Sequence, residues 1–341
     1  MRSRLIPLLA AASLAFGVSA SAQAADKVRA VASFSILADM VKNVGGDRVD
    51  VAELVGPDGD AHEFNPTPAD AKKLAGADVF FVNGLGFEGW MERLETSSGF
   101  DGATVVASTG VKPRKMDEEH GGHEEHAKGE DHDEHAEGEH DHDGDHADHD
   151  DHDDNYEEHA EDHHHGDMDP HAWQDLANGA IYVANIRDGL IAADPDGKAV
   201  YEANADKYLA ALKAEDVAVK TALEALPQAR RRIITSHDAF GYFGDAYGLE
   251  ILAPEGVSTA SEPSAKDVAT IIRQIREDKI PAVFLENITN AKMLEQIAKE
   301  SGAKIGGTLY SDAISGPDGP APTYLDMFKH NVGTLTAALS S

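Results

Sequence analysis

The chain has 341 residues, no cysteine, and 62 acidic against 29 basic side chains, a formal net charge of −33 at pH 7. Such acidity argues against nucleic-acid binding, which needs a basic footprint, and favours cationic partners. Without cysteine there is no disulfide framework, no thiolate metal site and no residue to carry a lipid at a mature N-terminus.

The acidity is local. Residues 117–169 hold 25 Asp and Glu against one Lys, a charge of −24, whereas the rest of the chain carries 28 basic against 37 acidic residues, a net of −9. The histidines divide in the same way: 14 of the 18 lie between His120 and His165, while His62, His171 and His237 sit in separate short motifs.

In chain order, residues 1–24 read as a secretory signal peptide: Arg2 and Arg4, an apolar run from Leu5 to about Val18, then Ala22-Gln23-Ala24 before the charged Asp26 and Lys27. The apolar run is shorter than the ~20 residues of a membrane span. A soluble, exported protein is expected, and an exported chain without an anchor is expected in a Gram-negative periplasm.

Residues 25–113 are predicted to form an N-terminal α/β lobe. Val- and Phe-rich strands are predicted at 28–33, 49–55, 79–83 and 104–108, and helices at 36–44 and 68–76, the second with Thr67 as cap and Pro68 at its first position. Residues 114–167 are of low complexity, made mostly of His, Asp, Glu and Gly; too little apolar surface is present to offset ordering entropy, so a disordered insertion is expected. Residues 168–193 are expected to return to the N-terminal lobe.

A long bridging helix is predicted over 194–227, starting at Asp194-Pro195 and stopping before Pro227. Leu209, Leu212, Val219, Leu223 and Leu226 recur at three- and four-residue spacings on one face. About 32 helical residues would reach ~48 Å, long enough to join two lobes. Residues 228–341 are predicted to form a C-terminal α/β lobe, with strands at 232–236, 249–253, 282–286 and 304–310. Helices are predicted at 239–247, 264–278 and 291–301, the last ended by Gly302, followed by a C-terminal helix that holds Tyr324, Met327, Phe328 and His330. The fold class is therefore α/β: two (β/α) lobes with parallel sheets joined by a long helix. No internal sequence repeat accompanies the alternation.

The dispersed histidines fall where such a fold binds ligands. His62 follows the strand ending at Val55, His237 directly follows 232–236, and Asp312 follows 304–310; ligands of parallel sheets lie outside the carboxyl ends of strands. His171 can reach the same cleft from the returning segment. Glu286, at the end of 282–286, is either a cleft carboxylate or an acceptor that holds the strand-end loop. Trp173 is expected to pack the His171 loop, and His330 to be structural or exposed. The spacing of these residues matches no short zinc motif.

His62 with Asn65-Pro66-Thr67-Pro68, Asp169-Pro170-His171-Ala172-Trp173, Thr235-Ser236-His237-Asp238-Ala239-Phe240-Gly241-Tyr242 and Ser261-Glu262-Pro263-Ser264 occur in this order. Together they resemble the metal-binding periplasmic components of ABC importers, with the zinc-specific ZnuA-like group nearest in pattern, over nearly all of the mature chain. The resemblance implies one metal ion in the cleft between two lobes, ligated by His62, His171 and His237, with Asp312 at a position that often supplies a carboxylate. Some zinc-binding members leave the fourth place to water or to a carboxylate beside the first His. Here Ala61 precedes His62, and Glu63 follows it with a less favourable direction. Asp312, Glu286 and water all stay open as the fourth ligand.

Three imidazoles and one carboxylate suit zinc, whereas manganese importers of this kind generally use two His and two carboxylates, with Glu where this chain has His237. The expected function is a periplasmic zinc-binding protein, not an enzyme, that delivers Zn(II) to an inner-membrane ABC permease with a cytoplasmic ATPase. It is expected to be monomeric, with periplasmic zinc chaperones as further candidate partners and no nucleic acid. Rival readings are a manganese or iron importer's binding protein of the same fold, a periplasmic zinc buffer or chaperone, and a zinc hydrolase. The last lacks a His-Glu-x-x-His helix. Pairs such as His120-Gly121-Gly122-His123 and His140-Asp141-His142 are expected to bind further ions more weakly, since ordering a floppy loop costs entropy.

Overall fold

The computed structural model describes residues 27–115, 168–260 and 263–340. The expected signal peptide lies outside them, as do Ser261, Glu262 and the histidine-rich insertion except Arg114 and Lys115.

Two four-stranded, wholly parallel sheets carry the molecule. In the N-terminal half, β1 (Val28–Phe34), β2 (Val49–Val55), β3 (Val79–Val82) and β4 (Ala103–Val106) take the order β2-β1-β3-β4. In the C-terminal half, β5 (Arg232–Ile234), β6 (Glu250–Leu252), β7 (Ala282–Glu286) and β8 (Lys304–Leu309) take the order β6-β5-β7-β8. The two halves thus share one strand order without a sequence repeat. Register is set by burial: Val31 opposes Ala52 and Phe80, and β3 is buried along its whole length, as a strand covered on both faces should be. Between β7 and β8 the register shifts at Val283/Phe284. A Cβ at Gly306 would meet the Phe284 ring at 2.4 Å, and Gly307 has φ +141, a conformation open only to glycine.

The helices of the N-terminal half are α1 (Ser35–Gly45), α2 (Pro68–Ala75) and α3 (Met91–Ser98). Thr67 caps α2 in a capping box with Asp70. Past the insertion, α4 (Leu176–Ala193) runs for 18 residues where only a return segment was expected. Leu176, Gly179, Tyr182, Val183, Ile186 and Leu190 form its buried face, and Gly179 and Gly189 let the Tyr324 ring and Val105 approach closely. Its outer face carries Ala177, Ala184, Ala192 and Ala193 beside only a few polar residues such as Asn178, Arg187 and Asp188, so the contrast between the two faces, and with it the period, is weak.

The long helix α5 spans Lys198–Glu224, 27 residues rather than the predicted 194–227. Asp194 ends α4 and caps a separate 3-10 turn, Pro195–Gly197, and its carboxylate binds Arg48 and the Tyr201 hydroxyl, which fixes the corner between α4 and α5. Leu212, Val219 and Leu223 are buried as the spacing predicts, together with Tyr201, Ala205 and Tyr208. α5 packs on α1 and α4 of one half, and on α6 (Gly241–Tyr247) and α9 (Tyr324–Leu339) of the other. One continuous core follows it, from β1 through Tyr182 and Tyr208 to Phe243 and Phe328. A smaller isoleucine-rich cluster lies under α7 (Ala265–Asp278) and α8 (Ala291–Ser301). Among the described residues no helix is long and apolar enough to cross a membrane.

Candidate metal centre

Four side chains from distant parts of the sequence converge between the two lobes: His62, His171, His237 and Asp312. Each is fixed by its own local network. His62 lies on the connection from β2 to α2, where the Asp60 carboxylate accepts its backbone N–H at 2.8 Å and the Trp90 indole donates to the Ala61 carbonyl at 2.9 Å. Its ring meets Phe87 edge-on, with centroids 4.8 Å apart.

His171 stands at the head of the returning segment. The Asn83 amide donates to the Pro170 carbonyl at 2.9 Å, while Asn83 itself is held by the buried Glu88 carboxylate and the Tyr182 hydroxyl. Asp169 Oδ1 accepts the His171 backbone N–H at 2.9 Å and lies 2.8 Å from ring Nδ1. Two and three residues after His171, Trp173 Nε1 and Gln174 Nε2 donate to the Ser311 carbonyl at 3.0 and 2.6 Å. The residue next to Asp312 is therefore tied to the loop of His171, across the seam between the lobes.

His237 follows β5 by three residues. Glu286, closing β7, accepts the backbone N–H groups of Ser236 and His237 on Oε1 at 2.7 and 2.9 Å. Its Oε2 lies 2.7 Å from His237 Nδ1, an ion-pair contact off the angle of a straight hydrogen bond. Asp312 is completely buried beyond β8, and its chain is pinned again where Ile314 N–H donates to Ser35 Oγ at 3.2 Å.

These frames aim the ring Nε2 atoms inward. His62 Nε2 lies 3.2 Å from His171 Nε2 and 3.2 Å from Asp312 Oδ2; His237 Nε2 is also 3.2 Å from Asp312 Oδ2, and His171 Nε2 is 3.7 Å from Oδ1. All four donor atoms lie within 4.8 Å of one another. A tetrahedral ion with bonds of ~2.0–2.1 Å separates its donors by ~3.3 Å, so the cluster is close to ligating geometry. Asp312 Oδ1 is buried without a hydrogen-bond partner, as suits an atom that faces a cation.

The charges are strongly coupled. Burial works against the imidazolium form of His171, but Asp312 and Asp169 outweigh it and push its pKa up to about 9. Burial also opposes the charged form of His237, and Glu286 and Asp312 raise it well above the ordinary value. Burial would raise Asp312, yet the two imidazoliums hold it well below the usual carboxylate range. His62 shifts the other way, lowered first by burial and further by the charges of His171 and His237. The site thus stores protons that a cation of higher charge can displace.

All four residues singled out in the sequence meet here. Glu286 takes the second of its two anticipated roles, holding the strand-end loop and facing the outer nitrogen of His237. Glu63 lines a cavity with Asp60 and is not among the four converging residues, and His330 rests on the Thr308 carbonyl and the Tyr310 ring. The sequence reading passed over Asp60 and Asp169, although a signal was present: Asp60-Ala61-His62 and Asp169-Pro170-His171 share an Asp-x-His spacing, and in both the carboxylate accepts the histidine's backbone N–H.

A family model described as zinc-uptake complex component A, periplasmic (ZnuA), matches residues 30–338. The manganese-binding lipoprotein MntA of Halalkalibacterium halodurans is 32% identical over 314 residues, 92% of this chain and 89% of that protein. The iron-binding protein YfeA of Yersinia pestis is 30% identical over 311 residues, 91% and 86% of the two chains. Among solved structures, the periplasmic zinc-binding protein TroA of Treponema pallidum matches with a TM-score of 0.74 at 28% identity, covering 92% of this chain and 99% of TroA. The manganese-bound periplasmic metal-binding protein of Candidatus Liberibacter asiaticus matches with a TM-score of 0.71 at 28% identity, covering 92% and 100%.

Proposed function

The chain belongs to the ZnuA family of periplasmic metal-binding components of ABC transporters, and from that premise we propose that its cargo is Zn(II), held by His62, His171, His237 and Asp312 and delivered to an inner-membrane permease driven by a cytoplasmic ATPase. The observation that carries the choice of metal is the donor set: three imidazole Nε2 atoms and one carboxylate within 4.8 Å. Three nitrogens and one oxygen at near-tetrahedral spacing favour zinc over the oxygen-rich, six-coordinate sites that manganese prefers.

We place the protein in the periplasm: relatives such as MntA are lipoproteins, but this chain has no cysteine in 341 residues. The histidine-rich insertion is assigned the capture or buffering of zinc rather than the transported-ion site, because the four converging residues all lie outside residues 118–166. Transport rather than hydrolysis fits this reading, since Asp312 as fourth ligand would fill the place a catalytic zinc keeps for water.

A second reading rests on the relatives: MntA is named for manganese and YfeA for iron, which makes a manganese or iron cargo the direct rival. Competition titration of the demetallated protein with zinc and manganese separates the two, with a form lacking residues 118–166 measured in parallel. One tight zinc site that survives the deletion, with weak manganese binding, is the expected result. Preference for manganese would overturn the zinc assignment, and loss of tight binding on deletion would move the site into the insertion.

A further inference from the structure

His62 differs from the other candidate ligands in its surroundings. The side chains of His171, His237 and Asp312 are fully buried, whereas 6% of the His62 side chain is exposed. Its sequence neighbours Asp60 and Glu63 lie on the wall of a cavity of about 400 Å³, together with Glu255, Thr259 and Lys292, while His62 itself stands behind that wall. Since a water molecule takes ~30 Å³, the cavity accommodates a divalent ion with a hydration shell. Three carboxylates against the one ammonium of Lys292 leave the wall net negative, which favours cations.

At the edge of this cavity one carboxylate joins the two lobes. Asp60 Oδ1 accepts the backbone N–H of His62 at 2.8 Å, and Asp60 Oδ2 accepts the hydroxyl of Thr259 at 2.6 Å, across 199 residues of sequence. The Thr259 segment is itself tied to the other side of the site. Asp238 N–H donates to the Gly256 carbonyl at 3.1 Å and Glu255 N–H to the Ser236 carbonyl at 3.3 Å, the two residues that flank His237. Asp60 thus links the backbone of the most accessible ligand to the loop of a buried one.

The opposite side of the cleft is built differently. There the Ser311 carbonyl takes two donors from Trp173 and Gln174, Ile314 N–H meets Ser35, and Tyr324 N–H meets the buried Asp39 carboxylate at 3.0 Å. Asp58, two residues before Asp60, adds a bond from its N–H to the Ile314 carbonyl at 3.0 Å and accepts the Asn287 amide at 3.1 Å, so the start of the His62 loop is anchored to this seam, whereas the Asp60 to Thr259 bond is only half-buried.

We propose that Asp60 and Thr259 form a latch over the entrance to the metal site: Asp60 is a positioning residue that holds His62 in ligating position, Thr259 keys it to the opposite lobe, and the cavity is the vestibule through which a hydrated divalent cation passes. This rests on the metal-binding reading of the four-residue site. Opening the latch lets His62 move about the Asp58 anchor and leaves His171, His237 and Asp312 in place, so the ion exchanges through a three-ligand intermediate.

The test is the exchange kinetics of zinc in full-length Thr259→Val and Thr259→Ser, with dissociation followed into a chromophoric chelator and association by tryptophan fluorescence in stopped flow. Valine keeps the shape and removes the hydroxyl. Dissociation is expected to rise roughly 10-fold, the lower end for a hydrogen bond to a charged group, with association also faster and the equilibrium affinity changed less than about threefold. Serine is expected to restore wild-type rates. A merely structural role would raise dissociation alone and lower affinity to match. Rates within about twofold of wild type in Thr259→Val, or a serine variant that behaves like valine, would overturn the latch while leaving the site intact; a wild-type protein that binds no zinc would overturn the site itself, and the latch with it.

Discussion

Replacing Glu286 by glutamine changes one atom next to the site, and the structure gives the consequence. Glu286 Oε1 accepts two backbone N–H groups at 2.7 and 2.9 Å, so the carbonyl oxygen of the new amide is held at that position. The amide NH₂ then occupies the place of Oε2, 2.7 Å from His237 Nδ1. Two donors cannot face each other there, so Nδ1 must give up its proton and become the acceptor, which leaves the remaining ring proton on Nε2, the nitrogen that lies 3.2 Å from Asp312 and is the proposed ligand atom. Metal binding must then restore the other tautomer against the amide, and it also loses a buried counter-charge. Loss of an outer carboxylate partner typically costs 10–100-fold in metal affinity; the tautomer penalty places Glu286→Gln near the upper end, roughly 100-fold or ~3 kcal/mol. Competition titration against a chelator at fixed pH measures the loss, with circular dichroism of the metal-free variant as the control for folding. An affinity within about twofold of wild type in a folded variant would refute the role given to Glu286.

Loading the metal-free protein at pH 7.5 should release about two protons per ion, from His171 and His237, and titration calorimetry in buffers of differing ionisation enthalpy counts them; a release below one proton would contradict the raised pKa values. Affinity should go on rising between pH 7 and 9 instead of levelling off above ~6.5, because His171 titrates at about 9; a flat profile over that range would remove the protonated pair from the account. Stability of the metal-free protein should run the other way. The folded pKa of His171 lies above its unfolded value, so its contribution, about 3 kcal/mol at most, is complete below pH ~6.5 and disappears as pH rises through 9. That of Asp312, depressed in the fold, is present above ~3.9 and lost in acid. Thermal melts without metal are therefore expected to weaken from pH 7 to 9.5, and a rising melting temperature there would contradict the sign. Gln174→Ala removes one of two donors from the buried Ser311 carbonyl and is expected to cost about 1–2 kcal/mol in denaturant unfolding, against no effect if that contact carries nothing.

How far the sequence could be read depended on whether a residue's role left a pattern. Strands such as Val28–Phe34 and Val49–Val55 are short Val-rich runs between helical stretches, and their alternation revealed two parallel-sheet lobes. α4 was missed because alanines on its outer face blur its period, and α3 because Trp90 at its start supplies no side-chain cap. The start of α5 was misplaced by a true signal: Asp194 before Pro195 is a cap, but of a single turn that the Arg48 and Tyr201 contacts keep separate from the long helix. In the site, position after a strand pointed to His62, His237 and Asp312. The supporting carboxylates were harder to see, because holding a backbone N–H or an outer ring nitrogen depends on distances that no spacing encodes. The Asp-x-His pairs are the exception, being local turns. Thr259 and Asp60 are 199 residues apart, and only the fold reveals their contact.

The most direct test of the central claim is X-ray absorption at the zinc edge on protein lacking residues 118–166 and loaded with one equivalent of zinc. Four light scatterers at ~2.0–2.1 Å with the outer-shell signature of three imidazoles is the expected spectrum. A shell with two or fewer imidazoles, or a six-coordinate shell at longer distance, would contradict a site made of His62, His171, His237 and Asp312.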